Sequence, residues 1–431
     1  MVFLNLQLNK TNVLSAISKK ANYYILKMNT FNHIRATLIL VLFFSSFCSL
    51  HAAKNMQMLT WVDHQLLYCD TQVRRTLTTL PNDSMLPRSI DARGVDWHTV
   101  DAYDWTSGFW PGTLWYDYEN QRRPDLLQKA EHYTHELSAL LSPNHVCDHD
   151  IGFQLLCSFG NAWRITGNDQ YRRVLLEGAN RLARLYNSRV GTILSWPHMV
   201  RQGWPYNTIM DNMMNLQLLF FAAKYGGDPK YYDMAISHAR KTMRYQFRPD
   251  GTNYHVALYD SIDGRFLRGI TNQGYSDNSF WARGQAWAVY GYTEVYFASH
   301  DKTFLRFVEK LADVYLKRLP EDYIPYWDFD DPNIPHAPRD ASAAAIMASA
   351  LFKLSQIEDN ADKSRQYLDA AVNMLQQLSS DRYQSGNRNP SFLLHSTGNL
   401  PAHYEIDASI NYADYYYIEA LTRYKRILGR V

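Results

Sequence analysis

Cysteine is scarce in this 431-residue chain, with only Cys48, Cys69, Cys147 and Cys157. The three beyond residue 53 are too few for a disulfide framework, although a single pair such as Cys147 with Cys157 stays open. Their spacing matches no zinc site, and no cofactor is expected. A large excess of one charge is also missing. The formal net charge is +2, from 44 basic and 42 acidic residues. Residues 1–53 hold five of the basic residues and no acid, which leaves 39 basic against 42 acidic and a net charge of −3. That balance excludes the broad basic footprint of a nucleic-acid-binding protein. Any anionic ligand must be gripped by local groups.

Long apolar runs are absent apart from Leu38–Phe44, which is shorter than the roughly 20 residues of a membrane span. Arg35 precedes this run and Leu50-His51-Ala52-Ala53 follows it. Residues 28–53 therefore read as a secretory signal starting at Met28, with no membrane association once it is removed. Ser45-Ser46-Phe47 before Cys48 does not suit a lipid-attachment site. The expected organisation is an extension and signal over 1–53 and one catalytic domain over 54–431.

Aromatic residues are abundant: 31 Tyr, 19 Phe and 11 Trp. A large core would use them, and so would a sugar site, where rings pack on C–H faces and offer polar tips. Composition does not separate the two uses.

Helical periodicity dominates beyond residue 55. It predicts twelve helices, at 56–80, 106–121, 124–142, 150–166, 168–188, 210–225, 228–246, 280–299, 301–319, 339–357, 361–379 and 410–428. Short connectors recur between them, such as Thr166-Gly167-Asn168-Asp169-Gln170-Tyr171, Gly226-Gly227-Asp228-Pro229-Lys230-Tyr231 and Ser299-His300-Asp301-Lys302-Thr303-Phe304. Each places a stop, then an Asx residue able to cap the next helix, then an aromatic in its first turn. Such connectors make antiparallel hairpins. Six hairpins without a long polar linker point to an all-α closed toroid, an (α/α)6 barrel, in preference to an open solenoid. The other connectors are long and rich in Trp, His, Asp and Arg, and they gather at one rim, where sites usually sit. Tyr254-His255-Val256-Ala257-Leu258-Tyr259 alternates like one arm of a small β-hairpin.

Four inner helices open with polar and aromatic clusters. Asp104–Gly112 contains Trp105, which is either a stacking wall or core. His149-Asp150 and Asp211-Asn212 open two others, and both aspartates suit ordinary N-capping. Trp281-Ala282-Arg283-Gly284-Gln285-Ala286-Trp287 opens a fourth, with Arg283 and Trp287 on one face. An arginine in a first turn opposes the helix dipole, so it calls for an anionic partner, either a ligand or a nearby Asp. Arg339-Asp340 reads as an ion pair and cap. Two carboxylates, two histidines, an arginine and several tryptophans on one rim suit acid–base chemistry on an acidic sugar.

Over about 56–428 the sequence resembles glycoside hydrolase family 88, the unsaturated glucuronyl hydrolases. The matching stretches are Asp104–Gly112, His149–Phe153, Trp196 with Asp211, Tyr254-His255, Gln273-Gly274, Ser279–Trp287, Tyr326-Trp327-Asp328-Phe329, Arg339–Ser342 and Ala413-Asp414-Tyr415-Tyr416-Tyr417. The ordered set carries the resemblance. It implies an (α/α)6 barrel without a metal, acting on lyase-generated oligosaccharides that end in a 4,5-unsaturated uronate, with glycosaminoglycan fragments favoured and a periplasmic location. By the same resemblance Asp211 is the general acid/base and Asp150 the second carboxylate. Trp105, His149, Trp196, His255, Gln273, Trp281, Arg283 and Trp287 line the substrate, with Arg283 expected to hold its carboxylate. Asn272 stands where the family often has histidine, and the loop Leu394–Asp407 differs from shorter versions. Three other readings share the scaffold: an unsaturated rhamnogalacturonyl hydrolase of family 105, a conventional inverting glycosidase, and a glycan-binding toroid without catalysis.

Overall fold

The structure is a computed structural model that describes residue 20 and residues 53–429. Residues 28–52, which carry most of the signal reading, lie outside the described set. The chain divides into a large compact unit, Val62–Ile427, and a remainder at the two ends of the sequence. No helix among the described residues is long and apolar enough to cross a membrane.

Among the described residues twelve principal helices follow the expected order. They are α1 (53–79), α2 (Phe109–Gln121), α3 (Pro124–Glu136), α4 (Ile151–Leu155, a π turn Leu156–Gly160, then Asn161–Thr166), α5 (Asp169–Ala183), α6 (Asn212–Lys224), α7 (Lys230–Tyr245), α8 (Ala282–Ser299), α9 (Lys302–Arg318), α10 (Ala341–Ile357), α11 (Ala361–Leu378) and α12 (Asn411–Leu428). The short connectors work as their residue types predict. The side chains of Asn168 and Asp301 accept from Gln170 N and Thr303 N, while Gly167 ends α4 in the left-handed conformation.

The helices fall into two kinds. The odd-numbered ones bury one stripe, such as Tyr171, Leu175, Ala179 and Leu182 on α5, and leave the other face to solvent. The even-numbered ones are buried nearly all round: every residue of α8 from Ala282 to Tyr296 is buried. Even helices therefore form an inner ring inside an odd-numbered outer ring, which is the (α/α)6 barrel. Helices α2, α4, α6, α8 and α10 lie against one another in sequence. Glu419 of α12 closes the ring, accepting hydrogen bonds from Tyr116 of α2 (2.8 Å), Tyr290 of α8 (3.1 Å) and Ser349 of α10 (2.5 Å). Cys69, Cys147 and Cys157 are free thiols.

The long loops carry short antiparallel strands: β1 (Leu86–Ile90), β2 (His98–Val100), β3 (Tyr186–Asn187), β4 (Thr192–Ile193), β5 (Asn207–Ile209), β6 (Val256–Tyr259), β7 (Phe266–Ile270) and β8 (Ser409–Ile410). The hairpin expected near residue 256 is β6–β7, and β5 from the preceding long loop pairs onto its other edge. The sheet β2-β1-β8 joins the loop before α2 to the loop before α12.

Candidate active site

The register of β5 on β6 builds the first half of the site. Ile209 pairs with Val256, and Met210 N then donates to His255 O at 2.9 Å. The next residue on one side is Asp211, so the ladder delivers Asp211 beside His255. Nε2 of His255 lies 3.5 Å from Oδ2 of Asp211. This is longer than a formed hydrogen bond, and neither atom has another partner among the described residues. Backbone N–H groups of Asn272 and Gln273 donate to Nδ1 of His255 at 3.2 and 3.1 Å. That nitrogen is therefore an acceptor, and the ring proton sits on Nε2, facing Asp211. Since the anchoring uses main-chain N–H groups, it does not depend on which side chain occupies position 272.

The second half mirrors the first. His149 Nε2 lies 3.4 Å from Oδ1 of Asp150, and its backbone N–H donates to Ser195 O. Ser195 N in turn donates to Asn207 O on β5, which ties the two halves together. The Trp196 ring stands edge-on to both imidazoles, 6.4 Å from His149 and 5.9 Å from His255. Trp281 packs on His255 from another side at 4.4 Å. Asp328 accepts from Tyr275 N and Ser279 Oγ, holding the loop that presents Gln273, whose side chain is half-buried. Trp105 leans on Tyr412 at 5.3 Å and is likewise half-buried.

Asp150 and Asp211 precede the first turns of α4 and α6, yet neither side chain caps its helix. Both backbones are already helical, which turns the carboxylates away from the free N–H groups. The capping alternative fails on this point, and both carboxylates are left for the rim. Their protonation tendencies differ. Burial pushes Asp150 well above the carboxylate range, with Asp148, Asp211 and Asp104 adding repulsion. Burial also works upward on Asp211, but the His255 N–H and the charges of His255, His149 and Arg283 outweigh it and hold the group low. His149 is itself lowered, chiefly by burial.

Two of the expected ligand residues are also engaged inside the protein. Arg283 is 1% exposed, and its terminal nitrogens are occupied: Nη1 by Asp340 at 2.9 Å and by Thr397 O, Nη2 by Gly398 O at 2.5 Å. The anionic partner that its first-turn position demanded is Asp340, which with the two carbonyls takes three of the five guanidinium N–H groups. Arg283 sends charge toward Asp211 and anchors the loop beyond residue 396. Trp287 is fully buried one turn below, between Phe153 and Tyr416, and forms a floor rather than a wall. Asp340 caps α10 as expected, accepting from Ser342 N and Ala343 N, but Arg339 pairs with Asp322 instead of with its neighbour.

The model of Glycosyl Hydrolase Family 88 matches residues 80–422. The chain belongs to glycosyl hydrolase family 88, the unsaturated glucuronyl hydrolases. It is similar to an unsaturated glucuronyl hydrolase of Formosa agariphila, 42% identical over 349 residues that span 79% of this chain and 85% of the relative. An unsaturated chondroitin disaccharide hydrolase of Streptococcus pyogenes is 31% identical over 358 residues, 82% of this chain and 88% of its own. Among solved structures, an unsaturated glucuronyl hydrolase specific for heparin superposes with a TM-score of 0.80 at 40% identity, covering 86% of this chain and 98% of that one. A Streptococcus agalactiae unsaturated glucuronyl hydrolase carrying an Asp-to-Asn change and complexed with dGlcA-GalNAc6S superposes with a TM-score of 0.73 at 28% identity, covering 85% and 92%.

The rim of this family 88 hydrolase also holds residues that the sequence did not advertise. Arg88 of β1 bridges Asp104 and Glu405, and it lies 6.0 Å from the Trp105 ring and 5.2 Å from that of Tyr404. The salt bridge joins residues far apart in the chain, so no local pattern signals it. Phe153 and Tyr412 flank Trp105 and read locally as core.

Proposed function

We propose that the enzyme removes the terminal 4,5-unsaturated uronate from lyase-generated oligosaccharides, of glycosaminoglycan type, by hydrating the C4=C5 bond. The observation that carries this reading is the pair of buried His–Asp couples facing one tryptophan-walled rim, with Asp150 inclined to keep its proton and Asp211 to lose it. Two carboxylates with separated tendencies on one rim suit acid–base chemistry. The Streptococcus agalactiae enzyme has been crystallised with either of two aspartates changed to asparagine, and their separation in sequence matches that of Asp150 and Asp211 to within one residue.

The substrate is a vinyl ether conjugated to a carboxylate. Protonation at C4 leaves positive charge at C5, shared with the ring oxygen. Water adds at C5, and the resulting hemiketal opens and expels the next sugar. Asp211 is assigned the proton delivery to C4 and the activation of water, with Asp150 as the second carboxylate. The low position of Asp211 in the free protein is compatible with this role. An incoming carboxylate and the expulsion of water raise Asp211, so it takes up its proton as the substrate arrives. His255 Nε2–H then holds one oxygen while the other faces the alkene.

Loss of ultraviolet absorbance on unsaturated chondroitin, hyaluronan and heparin disaccharides tests the reaction, and Asp211→Asn should abolish it with the fold intact. Turnover confined to saturated substrates would instead establish a conventional glycosidase. Export rests on residues 28–53, and N-terminal sequencing of the protein from a periplasmic extract checks it: a chain still beginning at or before Met28 refutes it.

A further inference from the structure

Asn215 sits on α6 one turn beyond Asp211 and on the same face. It is fully buried, and its Nδ2 lies 2.8 Å from Nδ1 of His149, across the contact between α6 and α4. Gly152 makes that approach possible. A Cβ at Gly152 would fall 2.3 Å from Oδ1 of Asn215 and 2.5 Å from its Cβ. An amide nitrogen donates and cannot accept, so Nδ1 of His149 is the acceptor. The neutral ring then carries its proton on Nε2, which faces Oδ1 of Asp150 at 3.4 Å. His255 reaches the same tautomer through the backbone N–H groups of Asn272 and Gln273. Two His–Asp couples brought to one tautomer by unrelated means is more than packing requires.

We infer that Asn215 is a positioning residue that fixes the tautomer of His149 and, through it, the oxygen on which Asp150 carries its proton. The inference rests on the proton chemistry proposed above for the two carboxylates. Nε2–H faces Oδ1 at 3.4 Å without a formed hydrogen bond, and closing that contact makes Oδ1 the acceptor and leaves Oδ2 to carry the acid proton of Asp150. Asp148, Asp104 and Asp211 are the charged groups that face Asp150, and Asp148, Asp211 and His255 face His149. Helix α6 thus supplies Asp211 directly and controls Asp150 at second hand, which couples the two halves of the site.

Two isosteric variants separate orientation from packing. In Asn215→Asp, the new carboxylate draws the ring proton to Nδ1. Nε2 becomes an acceptor and pulls the Asp150 proton onto Oδ1, away from the substrate. In Asn215→Leu the ring keeps its place without a tautomer lock. The Asp variant should lose about 100-fold in kcat with KM within about twofold, and the acidic limb of its kcat/KM profile should move by about one pH unit. The Leu variant should lose about tenfold with that limb in place. Nitrogen-15 spectra of labelled histidine provide the second readout, with His149 assigned by its loss in His149→Gln. Wild-type His149 should be protonated at Nε2, and Asn215→Asp should be protonated at Nδ1. An Nδ1-protonated His149 in the wild type overturns the inference, as does an Asn215→Asp enzyme with wild-type kcat and an unmoved limb. If either variant fails to fold, the wild-type spectrum decides alone. Failure of the substrate reading has a different signature, since the wild type would then consume no unsaturated disaccharide while the tautomer remains measurable.

Discussion

Removing the guanidinium of Arg283 should destabilise the protein by several kcal/mol before it says anything about substrate binding. Arg283 and Asp340 face each other at 2.9 Å with side-chain exposures of 1% and 0%. Truncating one partner of such a pair strands the other charge, which costs about 3–5 kcal/mol. The carbonyls of Thr397 and Gly398 lose their donors as well. At roughly 2 °C per kcal/mol for a chain of this size, Arg283→Ala should lower Tm by about 6–10 °C. The penalty belongs to the stranded charge, so Arg283→Met combined with Asp340→Asn should recover more than half of it. The asparagine Oδ1 can still accept from Ser342 N and Ala343 N, which preserves the cap of α10. Equilibrium denaturant unfolding of the single and double variants measures both quantities. An Arg283→Ala protein within about 1 kcal/mol of wild type, or a double variant no more stable than the single, would refute the reasoning.

Asp117 of α2 is fully buried with both carboxylate oxygens unpartnered among the described residues, and burial, with Asp70 adding repulsion, pushes it up to about 8. Its folded pKa lies above the unfolded one, so stability should fall as pH rises from about 4 to about 8, with a ceiling of about 6 kcal/mol at about 1.4 kcal/mol per pKa unit. Asp117→Asn should match wild type near pH 4 and exceed it at pH 8 in urea unfolding. Glu419→Ala orphans the donors of Tyr116, Tyr290, Ser349 and Arg423 and should cost about 3–5 kcal/mol, whereas Glu419→Gln, which keeps an acceptor, should cost less by thermal unfolding. Gly108→Ala would set a Cβ 2.4 Å from Gln154 O on α4, so it should cost about 1–3 kcal/mol and lower turnover by displacing Asp150.

The barrel was legible because its signals are local. Asn168, Asp301 and Asn360 each cap the helix that follows, and the amphipathic stripes of α5, α7, α9 and α11 repeat at helical spacing. The candidate site was legible only as a set of residue types. Nothing near Arg283 in sequence reveals that Asp340, 57 positions away, occupies it. Strand β5 drew no notice, since Asn207-Thr208-Ile209 is too short to show an alternating pattern, and its value lies in a register set by β6. Asn215 read as one more polar residue early in a helix. The available hint was its spacing of four from Asp211, which puts both on one face of the same helix.

The residues that look like N-caps are the ones that a helix-ended site would recruit. A cap needs its residue in an extended conformation, so that the side chain folds back over the N–H groups. Asp150 (φ −65°, ψ −12°) and Asp211 (φ −53°, ψ −29°) are one residue too helical for that. At Asp150 the preceding Asp148 accepts the backbone N–H and takes up the capping duty. Shifting the cap upstream frees a carboxylate at the positive end of an inner helix, still rigid and already buried. Each freed carboxylate is then met by an imidazole N–H: His255, locked by the loop that carries Gln273, and His149, locked by Asn215. Because α6 provides both Asp211 and the amide that sets His149, a rotation of this helix by a few degrees would disturb both couples at once. Coordinated loss of both, rather than graded loss of one, is therefore what substitutions at the α4–α6 contact around Gly152 should produce.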